Sequence, residues 1–116
     1  MKRVLVLVLA LAAVGAAKSV VLTLDAPCNN VCGLGWEDGK LWAVDEVSDM
    51  VYQLDPTNGD ILSSFDASIS SSYDATGLAV ENGYVYVGAW NGYTSAYVYK
   101  FNESGGYLGA TYMCGG

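Results

Sequence analysis

The chain contains no histidine among its 116 residues. That absence removes the commonest general base and the hydrolase triads built on it. Cysteine is sparse as well. Cys28, Cys32 and Cys114 fall short of the four ligands of a structural zinc site, and no imidazole makes up the number. Positive charge is the third shortage: five Lys and Arg stand against 12 Asp and Glu, a formal net charge of −7. From Lys18 onward three lysines face all 12 acids, a net charge of about −9. Such a surface repels phosphate, so nucleic acid and anionic lipid are disfavoured as partners. A cation, a basic protein or a neutral sugar suits it better. No helical periodicity and no apolar run of spanning length, about 20 residues, follows residue 17.

The N-terminus has the order of a secretory signal. Met1-Lys2-Arg3 is basic, Val4 to Val14 is an unbroken apolar run, and Gly15-Ala16-Ala17 supplies small residues before Lys18. Cleavage after Ala17 is expected, leaving residues 18–116 as one secreted or periplasmic domain with no membrane anchor. Export permits disulfides. Cys28 and Cys32 bracket Asn29-Asn30-Val31, and a local bond is open to them, with Cys114 left over.

What the chain has is an internal repeat. Gly33-Leu34-Gly35-Trp36-Glu37-Asp38-Gly39-Lys40-Leu41-Trp42-Ala43-Val44 returns 44 residues later as Gly77-Leu78-Ala79-Val80-Glu81-Asn82-Gly83-Tyr84-Val85-Tyr86-Val87-Gly88. Val51 to Gly59 returns 47 residues later as Val98 to Gly106. A period of about 40–45 residues marks four-stranded propeller blades. Asp38-Gly39 and Asn82-Gly83 are strong hairpin dipeptides, because both turn positions require positive φ. Val20 to Leu24, Ile61 to Phe65 and Leu108 to Tyr112 are outer strands, and the first two run into the same Asp-Ala pair. The expected fold is all-β: two four-stranded antiparallel blades, about 33–67 and about 77–113, with one extra N-terminal outer strand. That makes nine strands and a partial propeller, in which the strand at 20–24 has no partner of its own.

The motif Gly-Leu-x-Trp-x-x-Gly-x-Leu-Trp-x-x-Asp, followed by Val-Tyr-x-Leu-Asp-Pro-x-x-Gly-x-Ile-Leu-x-x-Phe, resembles exported propeller repeats of the glutamine cyclotransferase-like, YVTN and NHL types. The resemblance covers nearly all of residues 20–113. It implies a blade, and its members include cyclases, lactonases, lyases and pure binding proteins. Propellers close with about four to eight blades. Two blades therefore imply a ring of several copies, or a piece of a longer propeller, and Cys114-Gly115 resembles the blade start at Cys32-Gly33.

Three sets of residues are candidates for chemistry. Glu37, Asp38, Asp45, Glu46 and Asp49 crowd one blade, and calcium needs about six to eight oxygens. The turn accounts for Asp38, and Ala89 replaces Asp45 in the second repeat, so no cofactor is expected. Trp90-Asn91-Gly92-Tyr93 lies in the three-residue insertion of the second repeat, where loop aromatics would stack on a neutral glycan. Trp90, Asn91 and Tyr93 are the expected ligand contacts, whereas Trp36 and Trp42 are expected to pack between blades. A cyclase would need a buried carboxylate, and Glu37 and Glu81 are the ones on offer; both have the look of exposed turn residues. Asn102-Glu103-Ser104 matches a glycosylation sequon. The functional expectation is a non-catalytic module for binding or surface interaction that self-associates or joins another propeller chain. The alternatives are a fragment of a glutamine cyclotransferase-type enzyme and a sugar-binding oligomer.

Overall fold

A computed structural model describes residues 4–9 and 19–115, with the backbone course alone at 4–9, 19–21 and 114–115. The expected cleavage site at Ala17 lies outside the described residues. Ten strands are present among the described residues: β1 (Val4–Leu9), β2 (Ser19–Asp25), β3 (Val31–Glu37), β4 (Lys40–Asp45), β5 (Met50–Leu54), β6 (Ile61–Asp66), β7 (Asp74–Glu81), β8 (Tyr84–Trp90), β9 (Ser95–Asn102) and β10 (Tyr107–Gly115). There is no helix among the described residues.

The strands form two antiparallel meanders. Blade 1 has the order β3-β4-β5-β6, blade 2 runs from β7 at one edge to β10 at the other, and β1-β2 is a separate pair. The turns behave as their residues require. Asp38 and Gly39 have φ of 50° and 72°, and Asn82 and Gly83 have 53° and 79°, the left-handed values of a type I′ hairpin. One expectation changes. β2 is paired, antiparallel to β1, with Leu5 opposite Leu24. The alternating Val and Leu residues of 4–9 have high β propensity, and an open strand edge offers them ladder bonds.

The blades pack through their inner strands, β3 against β7. Alternation along each strand gives each blade two faces. Gly33, Gly35, Trp42, Val44 and Val51 share the face of blade 1 that meets blade 2, by register. Leu78, Val80, Val85, Val87 and Phe101 share the opposing face. Trp42, Val44, Val51, Val85, Val87 and Phe101 are all 1% exposed or less, so the core is this seam. Glycine is required where the inner strands meet: a Cβ on Gly33 would stand 2.9 Å from the Leu78 nitrogen.

The outer strands keep the same relation from blade to blade. Gly105, in the β9–β10 turn, would press a Cβ onto Phe65 of β6; Gly59, in the β5–β6 turn, would press one to 3.3 Å from Leu24 of β2. Both glycines have positive φ, 94° at Gly105 and 79° at Gly59. β2 therefore lies where the outer strand of a preceding blade would lie.

Candidate functional site

Of the five acids crowded in blade 1, Glu37, Asp45 and Asp49 are backbone clasps, and Glu46 is exposed. The Glu37 carboxylate, at the tip of β3, accepts the Asn82 N–H and, at 3.1 Å, the Gly83 N–H of the hairpin turn in blade 2. It is a half-buried link between blades, not a free turn residue. Asp49 Oδ1 accepts the Ala75 N–H at 2.8 Å, tying the β4–β5 loop of blade 1 to the start of β7. Its own carbonyl accepts the Ala67 N–H at 2.9 Å. Burial pushes the Asp49 carboxyl up, the Ala75 N–H opposes this, and Asp74, Asp66 and Asp45 add to the rise. Asp45 Oδ1 accepts the Val47 and Ser48 N–H groups, both at 2.8 Å. Burial works against its charge, but the Ser48 N–H, the Cys28 thiol and the Val47 N–H outweigh it and hold its pKa down. Asp38 occupies the hairpin turn. Among the described residues no group of three or more His, Cys, Asp or Glu is placed to hold a metal.

The pair Cys28 and Cys32 is unbonded, and both are free thiols. Each has an acceptor of its own. Burial, then the hydrogen bond to Asp45, pushes Cys28 up to about 11. The Cys32 thiol lies 3.4 Å from the Ala75 carbonyl oxygen across the seam and 3.6 Å from that of Val44. Burial, then the Glu46 charge, raises its pKa. Neither is a reactive thiolate near neutral pH.

In the loop after β8, Trp90 is 47% and Tyr93 85% exposed. Asn91 is not beside them as a free amide. Its Oδ1 accepts the Tyr93, Thr94 and Ser95 N–H groups at 3.0–3.1 Å, which folds the loop and holds the two aromatics out. Asn102 serves its own turn in the same way, accepting from the Ser104 N–H and hydroxyl and the Gly106 N–H.

The aromatics of the inner strands divide. Trp42 is buried in the seam, and its indole Nε1 has no acceptor among the described residues. Trp36 is 59% exposed, contrary to expectation, because Gly33 and Gly35 take the positions facing blade 2 and leave Leu34 and Trp36 on the other side. Their counterparts 44 residues on, Leu78 and Val80, are half-buried against blade 1. Farther out on that side of blade 1, Ala43 and Leu54 are fully buried, so this surface is open only toward the inner strand. The far side of blade 2 carries Ala79, Glu81, Tyr84, Tyr86, Val98 and Lys100 by register. The Lys100 ammonium stands 4.0 Å from the Tyr84 ring centre.

No protein-family model matches the sequence, and no curated protein does. Among solved structures the chain is similar to a europium-containing methanol dehydrogenase, at 17% identity and a TM-score of 0.59. The likeness covers 82% of this chain and 19% of that one, so this chain spans about a fifth of its neighbour. At that identity the likeness concerns the fold alone: two consecutive four-stranded sheets, arranged as in a propeller.

Proposed function

We propose that the chain is an exported propeller-repeat module that acts by protein–protein contact through its blade faces, not by catalysis. One observation carries the reading. Leu34 and Trp36 lie 48% and 59% exposed at positions whose repeat counterparts pack against a neighbouring blade. Contiguous exposed apolar side chains of this kind mark interaction surfaces. The basic start, apolar run and small residues at 1–17 support export. The acidic surface disfavours phosphate-bearing partners. Of the two carboxylates a cyclase could use, Glu37 is engaged by the turn of blade 2 and Glu81 is exposed, not buried.

The test is the double substitution Leu34→Lys with Trp36→Lys. An apolar reporter dye should bind the wild type and lose most of its fluorescence with the variant, while the melting temperature stays within a few degrees. A large fall in melting temperature would assign both side chains to the chain's own core and contradict the reading.

A second reading concerns the loop after β8, where Trp90 and Tyr93 project from a turn held by Asn91. Such rigid exposed aromatics suit the apolar face of a neutral sugar. Quenching or shift of tryptophan emission by neutral oligosaccharides, abolished in Trp90→Phe with Tyr93→Ala, supports it; unchanged emission refutes it.

A further inference from the structure

We propose that the far side of blade 2 seats on the open side of blade 1 in a second copy of this chain, with Glu81 accepting the Asp38 and Gly39 N–H groups of that copy. The proposal rests on reading the blade faces as interaction surfaces, and it names the partner. The seam inside the chain supplies the pattern. There Gly33, Gly35, Trp42 and Val51 meet Leu78 and Val80, and Glu37 clasps the Asn82-Gly83 turn. The same positions recur unmet. Gly77, Ala79, Tyr86 and Val98 occupy the far side of blade 2. Leu34 and Trp36 occupy the open side of blade 1, next to the Asp38-Gly39 turn. A Cβ on Gly77 would touch nothing within 4 Å, while one on Gly33 meets backbone. Glu81 stands exposed 44 residues after Glu37, beside the Asn82-Gly83 turn as Glu37 is beside Asp38-Gly39.

The two seams differ at two positions. Ala79 against Trp36 is bulkier than Gly35 against Val80, so the strands stand farther apart there. Lys100 replaces the buried Gln53, and an acidic second copy favours that cation. The contact is heterologous, one surface against a different one, and so it propagates or closes a ring.

One element competes for the place. β2 sits against Gly59 where β10 of the arriving copy would lie, as β6 sits against Gly105. Leu24, 6% exposed, is its described anchor. A cleft of about 440 Å³ opens beyond it, between Asp25, Ala26 and Pro27 on one side and Asn58, Gly59 and Asp60 on the other. Assembly must displace β2, so the strand works as a strap that holds assembly back.

Sedimentation velocity of the full chain, from micromolar to millimolar in about 150 mM salt to screen the net charge, is the test. The wild type should associate with rising concentration, and Leu24→Asp should associate at least tenfold more tightly. Glu81→Arg and Trp36→Arg should each weaken association at least tenfold, although both lower the mutual repulsion of copies. Mixed in equal amounts, these two variants should form a one-to-one dimer, since one intact surface remains on each. Monomers of both the wild type and Leu24→Asp at all concentrations overturn the proposal. So does an associating wild type whose two blocked variants fail to complement; that result leaves the apolar face of Leu34 and Trp36 as an interaction surface for some other partner.

Discussion

Asp49 joins three elements with one residue. Its N–H bonds the Asp45 carbonyl, its carbonyl the Ala67 N–H, and its carboxylate the Ala75 N–H across the seam. It does so at φ 58°, in the left-handed region that asparagine tolerates better than most side chains. The raised folded pKa sets the sign of its pH dependence. Ionised Asp49 costs stability above that pKa, and the cost shrinks as pH falls from it toward the ordinary carboxyl value of 3.8, below which both states hold the proton. Asp49→Asn keeps the Oδ1 acceptor and removes the charge. The variant should be more stable than wild type at pH 7 by about 0.5–1 kcal/mol. Denaturant titrations at falling pH should show the gap narrowing toward pH 4, leaving the pH-independent backbone part. A wild type more stable at neutral pH, or a gap that widens in acid, would refute the assignment. Asp49 and Glu37 were not legible as clasps in the sequence. A carboxylate bonded to a backbone N–H of another blade leaves no periodic pattern; the sole trace was that Glu37 recurs as Glu81 beside the same turn.

At the scale of the element, the hairpins were the most legible part. Asp-Gly and Asn-Gly fix the type I′ turn locally, and both turns have the required φ. A Cβ at Gly39 or Gly83 meets nothing within 4 Å, so a substitution there is opposed by backbone conformation alone. Gly39→Val and Gly83→Val should each cost about 1 kcal/mol or more, because a β-branched residue resists positive φ. Thermal melts check this, and unchanged midpoints for both would remove the turn assignment. The division of strand faces was only half legible. Alternating Tyr and Val in β8 and β9 announces a sheet covered on both sides, but not which residue turns inward. Val85 and Val87 enter the seam while Tyr84 and Tyr86 turn outward, and in β9 Tyr97 and Tyr99 turn inward. Trp36 eluded the reading for the same reason: its burial depends on a neighbour that the described chain does not place there. The partner of β2 was missed because residues 4–9 have the composition of a signal sequence and of a strand alike.

At the scale of the whole molecule, two repeats stack through β3 and β7, and the surfaces that stack inside the chain recur on its two outer sides, that of blade 1 open only toward its inner strand. The close approach at Gly33 is the narrowest point of that seam, and Gly77 is its counterpart on the open side. Compare the melting of Gly33→Ala and Gly77→Ala in dilute solution, where copies are apart. Forcing a methyl into the Leu78 backbone should cost about 2 kcal/mol, or roughly 10 °C for a chain of this size. The same methyl at Gly77 meets open space, so Gly77→Ala should melt within about 2 °C of wild type or slightly above it. Equal losses at both positions, or none at Gly33, would contradict blade packing through the inner strands.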